Sequence, residues 1–307
     1  MHCSRALRFL SETYVYASID LTKCPVRTIL LSHTLEDRPD LAISIHTLHL
    51  PIFSHPISTN TASPKNARRH EKLRIQLGAA QIAILNRTAN LRTLQISLTV
   101  HADKHQDRAE RIDSLVPVLV RLPLERLAFT GRTSDSGGIL DIIRDLHVPR
   151  RLTHLQVPIE PDYFPSPTIS LPSSKQTPTS LRLHTFSGPA SFFTSLPLSP
   201  NTPLRETSFG LLTKWNFRST LAVLASHRDN LRSLELAVWH VPDCMAEIAH
   251  LFGDVLVHLK IGAIFLPEQS EMFERFIEEV SVILMICWIW IGGGDNVYYF
   301  GFCIGFL

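Results

Sequence analysis

Apolar residues recur along the chain in two rhythms. The first is a hexapeptide with apolar side chains at its first, fourth and sixth positions. It stands at Ile45-Leu48-Leu50, Leu91-Leu94-Ile96, Leu124-Leu127-Phe129, Leu152-Leu155-Val157, Leu231-Leu234-Leu236 and Leu256-Leu259-Ile261. Alternation puts the fourth and sixth positions on one face of an extended strand and turns the residues between them to the other. The second rhythm is helical. Ile112, Leu115, Val116 and Leu119 fall at i, i+3, i+4 and i+7, as do Ile139, Ile142, Ile143 and Leu146. Met245, Ile248 and Phe252 repeat that stripe, and Leu73, Leu77, Ala80 and Ile84 make a longer one. Each unit therefore reads as a strand followed by a helix.

The middle apolar residue of successive copies steps by about 33 residues from Leu94 to Leu127, about 28 from Leu127 to Leu155 and about 25 from Leu234 to Leu259. Hexapeptide and spacing together resemble the leucine-rich repeat, whose regular period is roughly 20–29 residues. One strand–helix unit cannot bury both of its apolar faces alone, so neighbours stack, strands on a concave side and helices on a convex one. The expected fold is thus α/β, an irregular leucine-rich-repeat-like solenoid with parallel concave strands. The regular repeat also carries Asn or Cys three positions after the last strand leucine. Those places hold Phe53, Thr99, Arg132, Glu160, Trp239 and Ile264, so the turns are expected to vary in length.

On such an array the ligand surface is formed by outward strand residues. The candidate partner-binding set is Arg92, Thr93, Gln95, Glu125, Arg126, Thr153, His154, Gln156, Arg232, Ser233 and Glu235. A second function class is an enzyme with a site framed by long loops, which requires titratable residues clustered in a cleft.

Proline interrupts the array. Ten of the twenty prolines lie between Pro158 and Pro203, where each removes a backbone donor from any ladder. Residues 51–65, 158–180 and 188–203 read as loops, with a strand through Leu181, Leu183 and Phe186 and a degenerate one over 204–209. Pro197, Pro200 and Pro203 stand in a polyproline II register, and Ser166-Pro167, Thr177-Pro178 and Ser199-Pro200 in a proline-directed phosphorylation register. Ser, Thr and Pro are ordinary loop residues, and the segment reads as plain surface loop.

Composition narrows the function classes. A hydrophobic content of 45% supplies a core for 307 residues, which a solenoid can hold as one domain. The formal charge of +2 argues against a dedicated nucleic-acid surface, and the basic stretch Arg68-Arg69-His70-Glu71-Lys72-Leu73-Arg74 reads as a solvated helix face. Cys3, Cys24, Cys244, Cys287 and Cys303 are odd in number and widely spaced, which suits a reducing compartment. Met1-His2-Cys3-Ser4-Arg5 leads into charged sequence without a signal-peptide core, so cytosol or nucleus is expected and the sequon Asn86-Arg87-Thr88 carries no glycan there.

Catalytic and metal patterns fail on spacing. His101, Asp103 and His105 lack a third ligand for zinc, and His70-Glu71 is followed by Arg74 where a zinc protease needs histidine. Ser226-His227-Arg228-Asp229 holds the residue types of a hydrolase triad, but triad members meet in space and not as chain neighbours. Nucleophile elbow, P-loop and dinucleotide fingerprint are all missing from the sequence. No cofactor is expected.

The N-terminal segment carries a second resemblance. Cys3-Ser4-Arg5-Ala6-Leu7-Arg8 followed by Tyr14-Val15-Tyr16-Ala17-Ser18-Ile19-Asp20-Leu21 resembles the last helix of an F-box and the first strand after it. Next come a helix at Pro25-Val26-Arg27-Thr28-Ile29-Leu30-Leu31, a turn at Arg38-Pro39-Asp40-Leu41 and a strand at Ile45-His46-Thr47-Leu48-His49-Leu50. With these the order is similar to that of fungal F-box and leucine-rich-repeat proteins, over residues 3–280. In that family the F-box docks on the adaptor of a cullin-RING ubiquitin ligase and the repeats hold the protein substrate. An F-box is about three helices, so residues 1–21 read as its remnant and adaptor binding as a property of a longer form. Residues 22–280 read as the solenoid.

Residues 281–307 read differently again. They hold one charged residue, Asp295, and seven of the chain's twenty-five aromatics. The apolar run 282–291 is about half the roughly 20 residues that cross a bilayer, so a membrane anchor is not expected. The expectation is an aberrant apolar tail, encoded by retained intron and poorly soluble, unable to form a polar cap. A fragmentary, nonfunctional gene product is the alternative that both ends raise.

Overall fold

The computed structural model describes residues 5–53, 64–99, 115, 117–131, 151–158, 181–196, 198–199, 201–212, 214–238, 241–265, 286–294 and 297–305. The helical stripe at 139–146, the loop at 159–180 and the His101/His105 pair lie outside these residues. The chain divides into two compact units, Met1–Gln156 and Val157–Leu307.

In the first unit α1 (Arg5–Tyr16), β1 (Ser18–Asp20), α2 (Pro25–Asp37), α3 (Pro39–Ile43), β2 (Thr47–Phe53), α4 (Pro64–Arg87), β3 (Thr93–Thr99), β4 (Arg126–Gly131) and β5 (His154–Gln156) follow one another. The five strands lie side by side in chain order and all run parallel. Parallel neighbours need a crossover between them, which is why strand and helical rhythms alternate in the sequence.

Register comes from the hexapeptides. Ile19, Leu48, Leu94, Leu127 and Leu155 align strand by strand, and Leu50, Ile96 and Phe129 form a second row. From Leu48 to Leu155 every member of both rows is buried. A one-residue slip would turn each row into solvent, so the period of two locks the pairing. A backbone device repeats at the start of each strand. The N–H groups of His46 and Thr47 both donate to Ala17 O, those of Arg92 and Thr93 to His46 O, those of Glu125 and Arg126 to Arg92 O, and those of Thr153 and His154 to Glu125 O. The shared acceptor fixes where a strand starts whatever the length of the connection before it, which reconciles a loose sequence period with regular pairing.

Several boundaries differ from the sequence reading. Tyr14 and Val15, expected in a strand, end α1, where Tyr14 is 88% exposed. Their β propensity is a packing preference that has nothing to pack against here. Arg38 donates to Glu12 of α1 at 3.1 Å and to Asp40 at 2.7 Å, and stands at the α2–α3 junction. The residue before a proline avoids helical geometry, which separates the two helices, and Pro39–Ile43 forms a short helix in place of the expected turn. Strand β2 runs through Pro51 to Phe53, into the span expected as a loop, and the buried Gln81 side chain of α4 donates to Pro51 O. On α4, Leu77, Ala80 and Ile84 are buried while Arg68, Arg69 and Lys72 are exposed.

The second unit contains β6 (Thr185–Gly188), α5 (Ala190–Thr194), β7 (Glu206–Leu212), α6 (Lys214–Ala225), β8 (Ser233–Val238), α7 (Val241–Phe252), β9 (His258–Phe265), β10 (Ile286–Gly294) and β11 (Val297–Gly305). Strands β6 to β9 are parallel, with Phe186, Thr207, Leu234 and Leu259 in one row. The same double donation recurs on His184 O, Arg205 O and Arg232 O.

Two degenerate copies of the hexapeptide thus join the array, Leu183-Phe186-Gly188 and Leu204-Thr207-Phe209. Their core is aromatic. Ring centroids of Phe186 and Phe193 lie 5.0 Å apart, those of Phe186 and Phe209 5.8 Å, and those of Phe193 and Phe209 5.2 Å in an edge-on pair. A Cβ at Gly188 would meet Phe186 Cζ at 3.0 Å and Val157 Cβ at 3.1 Å, so the ring occupies the space a side chain would need. Burial of Phe192 and Phe193 folds Ala190–Thr194 into a helix, correcting the loop expected over 188–203. Helix α6, with Phe217, Thr220, Leu221 and Leu224 buried, is an element that the sequence reading missed although its spacing is helical.

The C-terminal residues do not continue the parallel pattern. Strand β11 pairs antiparallel with β9, and β10 antiparallel with β11. Much of the run 282–291 is therefore strand, and among the described residues no helix is long and apolar enough to cross a membrane. The protein is α/β, with parallel strands alternating with helices.

Candidate functional site

Opposite the buried rows, the third and fifth residues of each hexapeptide share the other face of the strands. In the first unit one row is Ser18, Thr47, Thr93, Arg126 and His154, and the next is Asp20, His49, Gln95, Ala128 and Gln156. Adjacent strands are about 4.8 Å apart, so side chains in a row are neighbours. The structure brings together Thr93, Gln95, Arg126, His154 and Gln156 of the expected set. Gln95 Nε2 donates to Thr130 Oγ1 at 3.4 Å. Thr153 Oγ1 lies 2.7 Å from His154 Nδ1, the tautomer deciding which group donates. At the β1 end, Asp20 accepts from the hydroxyl of Thr22 at 2.6 Å and from its N–H at 2.9 Å, and these bonds hold its carboxyl below the usual range.

Four expected residues are not on this face. Arg92, Glu125, Thr153 and Arg232 each precede the first residue of a strand and line its starting edge. Arg92 and Glu125 pair at 3.5 Å. The hydroxyl of Thr153 donates to Glu125 O at 3.1 Å, and Arg232 Nη1 to Leu231 O at 2.9 Å. Counting outward from the leucines without fixing the strand start assigned them to the face. Their structural part is at the strand entry, where the carbonyls of Arg92, Glu125 and Arg232 are the shared acceptors.

In the second unit the corresponding rows are Thr185, Glu206, Ser233 and His258, then Ser187, Ser208, Glu235 and Lys260. Ser233 and Glu235 are where the sequence placed them. Ser208 Oγ donates to Glu235 Oε2 at 3.2 Å, and Lys260 Nζ donates to the other carboxylate oxygen. His258 and Lys260 were legible, because they occupy the outward positions of the sixth hexapeptide. Glu206 and Ser208 sit in a degenerate copy and had no such signal. Beyond the strands, Arg228 donates to Asp254 and holds that carboxyl low.

Chemistry elsewhere is sparse. Among the described residues, no group of three or more His, Cys, Asp or Glu is placed to hold a metal ion. Ser226 donates to Val223 O at 2.7 Å, and His227 beside it is buried in the turn after α6. Asn86 of the sequon is exposed on α4, whereas Thr88 is buried and donates to Leu85 O. Cys24 and Cys244 are both half-buried and outside any disulfide. What the strand faces present is a two-dimensional set of donors, acceptors and charges at fixed spacing, suited to recognising a surface. No family model, curated protein or solved structure matches this chain.

Proposed function

We propose that this chain is a protein-interaction scaffold, a leucine-rich-repeat-like solenoid that holds a protein substrate on its strand faces in the cytosol or nucleus. Its role would resemble that of the substrate-recognition part of an F-box receptor of a cullin-RING ubiquitin ligase. Contact with the adaptor is expected only of a longer form with a complete F-box. One observation carries the scaffold reading. Across β2 to β5 the buried row repeats one residue type, Leu48, Leu94, Leu127 and Leu155, while the outward row beside it reads Thr47, Thr93, Arg126 and His154. Uniform packing beneath a varied polar surface is the division of labour in a repeat scaffold.

Affinity capture with the full chain tests this reading. Arg126→Glu on β4 and Glu235→Lys on β8 change the strand faces, and Arg69→Glu on exposed α4 serves as the control. A protein retained by the parent and by Arg69→Glu but lost with a strand-face variant supports the scaffold. Equal retention by all variants refutes it.

A further inference from the structure

The ionisable side chains on the outward face of β2 to β5 are His49, Arg126 and His154. When charged, all three are positive. The other outward positions on these strands hold hydroxyl and amide groups with Pro51, Phe53 and Ala128, and no carboxylate. Among the described residues, Glu125 pairs with Arg92 at the strand entry, and Asp20 on β1, beside His49 in its row, is bonded by Thr22. Arg126 is exposed and, among the described residues, has no ion-pair partner. The second unit is the opposite case, since Lys260 and Ser208 both bond Glu235 and satisfy its charge within the face.

From this asymmetry we infer that the outward face of β2 to β5 binds an acidic segment of a protein partner. A carboxylate of that segment takes the planar fork of Arg126, whose paired donors match two carboxylate oxygens. Thr93 and Gln95 on the neighbouring strand donate to the acceptors that follow. Charge also argues against a nucleic acid as occupant. The face has one arginine where phosphate tracking needs a basic stripe. This inference rests on the scaffold reading and gives its ligand a chemical class.

The test uses the full chain and fluorescence anisotropy with three labelled probes about a dozen units long. They are a peptide of alternating Glu and Gly, the same peptide with Gln replacing Glu, and single-stranded oligo-dT. The Glu peptide should bind at least about tenfold more tightly than the Gln peptide and weaken as salt rises. Arg126→Glu should lower its affinity about tenfold or more, Arg126→Gln by less, and Arg69→Glu, with the same charge change on α4, by under about twofold. Circular dichroism confirms that each variant is folded. No binding of the Glu peptide, equal binding of the Gln peptide, equal loss in Arg69→Glu, or preference for oligo-dT each overturns the acidic assignment. The scaffold reading fails separately, when a captured partner is indifferent to every strand-face variant.

Discussion

Thr207 stands where the buried row of the second unit otherwise has Phe186, Leu234 and Leu259. It is 3% exposed, and its hydroxyl has no hydrogen-bond partner among the described residues. Valine is nearly isosteric with threonine, and both prefer the extended backbone, so Thr207→Val changes the chemistry at constant shape. Leaving a buried hydroxyl unmatched costs about 1–3 kcal/mol, and removing it should return a large part of that. The expected gain is about 1–2 kcal/mol, or roughly 2–6 °C in Tm for a chain of this size. Urea unfolding followed by circular dichroism measures it, as a higher midpoint at unchanged slope. Thr207→Ser is the companion, because it keeps the hydroxyl and loses a buried methyl, costing about 1 kcal/mol. A destabilised Thr207→Val protein would refute the reasoning, since the hydroxyl would then be satisfied and the threonine selected for its bond.

Three further outcomes follow from the packing and the charges. Leu155→Ala in β5 should cost about 2–5 kcal/mol through a core cavity, while His154→Ala beside it leaves the unfolding midpoint within about 0.5 kcal/mol, and equal losses would sink the assignment of faces. Phe193→Ala removes a ring that contacts both Phe186 and Phe209, and should cost about 3–5 kcal/mol in thermal unfolding, with a loss under about 1 kcal/mol excluding the aromatic core as a main support. Asp40 is held below the usual carboxylate range by Arg38, and Asp254 by Arg228. A depressed folded pKa means the native state binds fewer protons than the unfolded chain, so these groups stabilise above the ordinary carboxylate pKa of about 4 and the contribution fades as pH falls below it. Midpoints measured from pH 6 to pH 3 should therefore fall less steeply in an Arg38→Ala, Arg228→Ala double variant than in the parent, and parallel curves would rule this linkage out.

Where two levels of pattern agreed, the fold was legible. Ile45 to Phe129 carry strand alternation and sit between helical stripes, so strand identity, inward face and parallel order all followed from spacing. Legibility failed where one level was missing. Tyr14 and Val15 have strand propensity but no partner to alternate against. Phe192 and Phe193 lie among prolines that read as loop, and Thr207 breaks the leucine pattern, so that β7 was legible only as a degenerate strand over 204–209. The candidate face divides the same way. Thr93, Gln95, Arg126, His154, Gln156, Ser233 and Glu235 follow from parity, because successive side chains of a regular strand point to opposite faces. Arg92, Glu125, Thr153 and Arg232 were misplaced because parity is silent about where a strand starts.

The amino-acid sequence by itself determined that the apolar positions of the six full hexapeptides are buried, since burial there follows from local periodicity and the cost of exposing apolar side chains. Only the tertiary structure decided the strand entry, the aromatic core around Phe186, the antiparallel pairing of β11 with β9 and the internal neutralisation of Glu235 by Lys260. Each of these is a contact between residues far apart in the chain, whose energy depends on a spatial neighbour that no local window contains.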